Sequence, residues 1–122
     1  MPITLTKLVA KTASVTIEFE DGDSLTIQYW PNKITEETLV KVQSIDSISD
    51  AQTVNDMQIG LKSLNEFIVD IVKGWDLFEN DGTTPFPITL ERLPEIPVSI
   101  RSHIYQSIFV DMRKNRKAPE AN

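Results

Sequence analysis

Cysteine is absent from the 122 residues, histidine occurs once and glycine only four times. Without cysteine there can be no disulfide and no thiolate site for zinc, haem or an iron–sulfur cluster. So few glycines leave little from which to build a phosphate-cradling loop, and neither a G-x-S-x-G elbow nor a pair of histidines is present. No apolar run approaches the ~20 residues that cross a bilayer, and the first residues lack the basic-then-apolar order of a signal peptide, so a cytoplasm is the expected compartment. Basic side chains are outnumbered 12 to 18, for a formal net charge of -6. Nucleic acid is therefore not an expected partner, since the basic cluster is confined to the short run Arg113-Lys114-Asn115-Arg116-Lys117.

What is present is enough apolar residue, 40% of the chain, to close one core at this length without cross-links. A single domain over 1–122 is expected, with a β-ribbon in 1–31, a helical part in 32–114 and a frayed tail in 115–122. In the ribbon, Val15, Ile17 and Phe19 alternate with polar residues, as do Leu25, Ile27 and Tyr29, around a turn at Asp21-Gly22. Parity fixes the loop. A two-residue turn would put the two apolar sets on opposite faces, whereas a three-residue loop Glu20-Asp21-Gly22, with Gly22 left-handed, puts them on one. Ile3-Thr4-Leu5 is a candidate third strand, although Leu8-Val9-Ala10 breaks the alternation.

Trp30-Pro31 ends the ribbon. Thr35 then reads as the N-cap of a helix over about Glu36–Gln43, with Ile34 and Leu39 as its hydrophobic staple, and the polar Ser44–Asp50 reads as a linker. The strongest period follows: Val54, Met57, Leu61, Leu64, Ile68, Ile71 and Trp75 recur in steps of three and four, predicting a long helix over about Asp50–Lys73, with a capping box at Ser49–Gln52 and a stop at Gly74. Glu79–Pro87 is a turn-rich loop, and Thr89–Leu93 reads as one helical turn ended by Pro94. A last helix, about Pro97–Lys114, carries Ile100, Ile104, Ile108 and Met112 four apart, flanked by Tyr105 and Phe109. The fold class is thus α+β: an N-terminal antiparallel hairpin or small meander packed against about three helices.

Chemistry-bearing clusters are sparse. His103 lies off both apolar stripes of its helix and reads as a surface residue. The acids Glu18, Glu20, Asp21 and Asp23, and again Asp76, Glu79 and Asp81, lack calcium-loop spacing, with Phe78 standing where a ligand is needed. Catalytic, cofactor-binding and metal-binding residues are therefore not assigned. Phe67 and Val72 widen the apolar arc of the long helix, which leaves room for core packing, a docking groove or a seam between copies. Trp75-Asp76-Leu77-Phe78 is the densest aromatic–aliphatic patch.

Over about Ser14–Lys114 the ordered set Trp75-Asp76-Leu77, Asp81-Gly82, Pro87-Ile88-Thr89 and Leu93-Pro94, behind the hairpin and Tyr29-Trp30-Pro31-Asn32-Lys33-Ile34-Thr35, resembles the tail assembly chaperones of long-tailed bacteriophages and prophages. Phe78 and Glu79, inserted before the D-G turn, depart from the usual pattern. The resemblance implies a non-enzymatic protein of the host cytoplasm, absent from the mature virion. It would coat the helical tape-measure protein, and contact the tail tube protein, while the tube polymerises. It also implies two forms related by a frameshift, of which this is the short one. On that reading Phe67, Trp75, Phe78, Ile104 and Ile108 are expected at or beside the contact surface. The runner-up is a structural head–tail connector or tail-terminator subunit. A small enzyme and an acidic nucleic-acid mimic fit less well, for want of convergent polar residues and of a carboxylate-lined face.

Overall fold

A computed structural model describes residues 2–115. Strand β1 (Ala13–Glu18) pairs antiparallel with β2 (Ser24–Tyr29), Val15 opposite Ile27 and Ile17 opposite Leu25. Phe19 donates its N–H to Asp23 O at 2.8 Å, Gly22 donates to Phe19 O at 3.2 Å, and Gly22 sits at φ 85°. The loop is the odd-length Glu20-Asp21-Gly22 that parity requires, and both apolar sets face one core.

The third strand is not the N-terminal segment. Residues 5–9 form a short helix, α1 (Leu5–Val9), whose first turn is capped by Thr4 Oγ1 accepting the Lys7 N–H at 3.2 Å. None of its residues is buried, and Asn32 holds it by donating to Leu8 O at 3.0 Å. Strand β3 (Val72–Trp75) takes the place instead, giving a sheet of order β1-β2-β3. The segment expected to close the long helix thus leaves it, and the part read as helical contains a strand. The cause is the outer edge of β2, whose N–H and C=O groups need partners once the hairpin is buried. Ile71 O accepts from Trp30 N–H at 2.8 Å, and Thr26 O accepts from Asp76 N–H at 3.2 Å.

Between the hairpin and β3 lie two antiparallel helices, α2 (Glu36–Asp46) and α3 (Val54–Ile71). Thr35 caps α2 as expected, and Thr38 completes the reciprocal pair of cap bonds. The helix runs past Gln43 to Asp46, and a 3-10 turn, Ile48–Asp50, makes the connection. Leu39 is 55% exposed, so the expected staple position does not place it in the core. The cap of α3 is Thr53, accepting from Asp56 N–H at 3.0 Å, rather than a box at Ser49–Gln52. Ion pairs from Lys41 to Asp70 (3.3 Å) and Glu66 (3.6 Å) tie the two helices.

The chain closes with a turn at Thr89 that runs into a 3-10 segment, Leu93–Glu95, so Pro94 continues this turn instead of ending it. Helix α4 (Val98–Asn115) follows, with Pro97 just ahead of it accepting the Ile100 and Arg101 N–H groups. Asn115 belongs to α4, and the remainder of the tail expected to fray, 116–122, lies outside the described residues. The core is the space between the sheet, α3 and α4, filled by Ile17, Ile27, Tyr29, Leu64, Phe67, Ile68, Ile71, Leu93, Ile104 and Ile108 among others.

Candidate partner-docking surface

Three of the five residues expected at a contact surface are the centre of the core. Phe67, Ile104 and Ile108 are each 0% exposed. Phe67 stacks on Phe109 at 5.5 Å between centroids and meets Tyr105 edge-on at 5.1 Å, so α3 and α4 are joined by an aromatic cluster. In the folded chain these side chains are covered, so a contact surface would lie beside them and not at them. The physical reason is that α4 is apolar on two sides: one packs under the hairpin, the other against α3.

Trp75 and Phe78 are placed differently. Trp75 is half-buried in β3, and its Nε1–H donates to Phe86 O at 2.8 Å. Phe78 is 44% exposed and bridges Pro85 across a small turn. Bonds from Asp76 to Glu95 gather around this turn. Asp76 Oδ1 accepts the Thr26 N–H at 2.7 Å, which fixes the segment to the hairpin. Asp81 accepts the N–H groups of Thr83 and Thr84, both at 2.9 Å, and the Thr84 hydroxyl at 2.6 Å. These bonds hold its carboxyl low, at about 2. Arg92 pairs with Glu79 at 2.7 Å and Glu95 at 2.8 Å, with its guanidinium 4.6 Å from the centroid of Phe86. Hydrogen bonding to Arg92 lowers the Glu79 carboxyl in turn. Trp75, Asp76, Glu79, Asp81 and Arg92 thus form a set of bonds that orders the 76–95 segment and ties it to the sheet.

The apolar surface that remains open lies elsewhere. The stripe of α3 is fully buried at Leu64, Ile68 and Ile71 and half-buried at Leu61, yet Val54 is 74% and Met57 46% exposed. Residues 54–59 are all exposed and Gly60 is the first buried residue of the helix, set close against Ile48. Val54 and Met57 therefore continue a core stripe past the end of the core. The sequence reading placed them on the stripe but did not single them out. The signal was the length of the stripe, greater than the short helix before it could cover.

Two shallow grooves flank α4. One, of about 500 Å³, lies between α2 and α4, lined by Val42, Asp46, Tyr105, Phe109 and Arg113 among others. The other, of about 320 Å³, lies between β1 and α4, lined by Val15, Thr16, His103, Gln106, Val110 and Lys114 among others. His103 is exposed there, edge-on to Phe19 at 6.4 Å. Arg101 is the one charged side chain among the described residues that the fold buries, at 5% exposure, bonded to Ile96 O (2.9 Å) and Asn65 Oδ1, and burial lowers its pKa. Among the described residues no group of three His, Asp or Glu side chains is placed to hold a metal ion, and no helix is long and apolar enough to cross a membrane. Comparison with protein-family models, curated proteins and solved structures finds no match.

Proposed function

We propose that this chain is a non-enzymatic tail assembly chaperone of a long-tailed phage or prophage. It binds the tape-measure protein in the host cytoplasm, assists assembly of the tail tube, and is left out of the mature virion. The observation that carries the reading is the apolar stripe of α3 running out of the core at Val54 and Met57, on a chain of net charge -6. Exposed apolar residues in line on a helix suit the apolar face of another helix, which is what a long amphipathic tape measure presents before the tube encloses it. The negative charge keeps such a complex dispersed. The likeness over Ser14–Lys114 and the α+β fold agree with this reading without deciding it.

Co-expression tests it. A tape-measure protein that is insoluble alone should become soluble and co-purify with this chain, and purified virions should lack the chain. A chain retained stoichiometrically in virions would favour the connector or tail-terminator alternative, and a tape measure left insoluble would remove the chaperone reading.

A further inference from the structure

The two edges of the sheet are built differently. The β3 edge carries the devices that discourage strand addition: it is four residues long, contains Lys73 and Gly74, and its pairing with β2 shifts register between Gln28 and Tyr29. The β1 edge has none of these. Ala-Ser-Val-Thr-Ile-Glu is six residues in unbroken register, without lysine, proline, glycine or bulge. Because Phe19 bonds Asp23, odd-numbered residues of β1 turn their main-chain groups toward β2, and Ser14, Thr16 and Glu18 turn theirs outward. Alongside lies the groove between β1 and α4, with Val15 and Val110 in its lining.

We infer that the β1 edge pairs with the β1 edge of a second copy of this chain, forming a continuous six-stranded antiparallel sheet about a two-fold axis at Thr16. The choice of occupant rests on self-complementarity. With Thr16 opposite its own counterpart, Ser14 meets Glu18, Val15 meets Ile17, and every outward N–H and C=O of the strand finds a partner. Threonine opposite threonine is a favourable cross-strand pair, and no like charges are opposed. Continued along the strand line, the same register brings Lys11 to Asp21 in the acidic turn of the second copy, which offsets part of the repulsion between two chains of charge -6. Helix α1 is tied back to Asn32, beyond the end of β2. The inference is independent of the tape-measure reading and uses none of the α3 surface.

Sedimentation and cross-linking test it on the full chain. Wild type should sediment at twice 13.8 kDa, and Thr16→Lys, which sets two cations face to face at an exposed site, at 13.8 kDa with unchanged far-UV circular dichroism. The cysteine-free sequence gives a clean second readout. Thr16→Cys should form an interchain disulfide on oxidation, its Cα pair lying about 5.5 Å apart. Ser14→Cys should not, its counterpart lying about 14 Å along the strand. A wild-type monomer at every concentration, a dimer that survives Thr16→Lys, or Ser14→Cys linking as readily as Thr16→Cys would each overturn the inference.

Discussion

Residues that look alike in the sequence have opposite fates here. Phe67 and Phe78 are both aromatic members of apolar runs, but one is the floor of the core and the other is 44% exposed. Truncation separates them. Phe67→Ala should lower the unfolding free energy by about 3–5 kcal/mol, and Ile108→Ala by about 2–5 kcal/mol. Phe78→Ala should cost far less, all three read from urea midpoints at constant m-value. The tyrosines give a second test. Both in the chain, Tyr29 and Tyr105, are buried and donate to the carboxylates of Asp111 and Asp46. Burial first, then the neighbouring carboxylate, raises each phenol well above its usual value of 10.0. A group whose folded pKa is raised stabilises the native state below its unfolded pKa and loses that contribution as pH climbs through and beyond it. Stability should therefore fall above about pH 10, and phenolate absorbance should appear together with loss of near-UV circular dichroism rather than before it.

At the scale of elements, the hairpin and α4 could be read from the sequence because their determinants are local: a period of two with one glycine of fixed parity, and isoleucines at every fourth position. Strand β3 could not. Ile68, Ile71 and Trp75 keep helical spacing across Ile71–Val72, so periodicity is blind to the change. What decides it is the unpaired edge of β2, more than 40 residues earlier in the chain. The capping of α3 at Thr53 rather than at Ser49 has the same character, since the 3-10 turn Ile48–Asp50 packs on Gly60. This close approach reverses an expectation from helix propensity. Alanine for glycine in a helix interior ordinarily gains about 1 kcal/mol. Here Ser44 O lies 3.1 Å and Ile48 Cγ1 2.4 Å from the added Cβ. Gly60→Ala should therefore destabilise, by about 1–3 kcal/mol in thermal or urea unfolding, by forcing α2 and α3 apart.

At the scale of the whole molecule, the fold leaves large apolar helix residues exposed, chiefly at positions other than the five singled out in the sequence. Aromatic density drew attention to Trp75–Phe78 and to the isoleucines of α4; Ile104 and Ile108 lie in the core and Trp75 is half-buried, whereas Phe78, at 44%, is about as exposed as Met57. Exposed apolar residues occur on α1 and α2 as well, at Leu5, Leu39 and Val40, but the α3 stripe is the one that runs on from the core, with residues 54–59 all exposed. If this is the surface that shelters a tape-measure helix, it should be separable from folding, because Val54 and Met57 stand outside the core cluster. The most direct measurement is capture of the tape-measure protein by the double variant Val54→Asp/Met57→Asp, alongside wild type. The expected result is capture reduced at least tenfold with urea midpoint and far-UV circular dichroism unchanged. Capture at the wild-type level by a variant so charged would contradict the assignment of the α3 stripe as the docking surface.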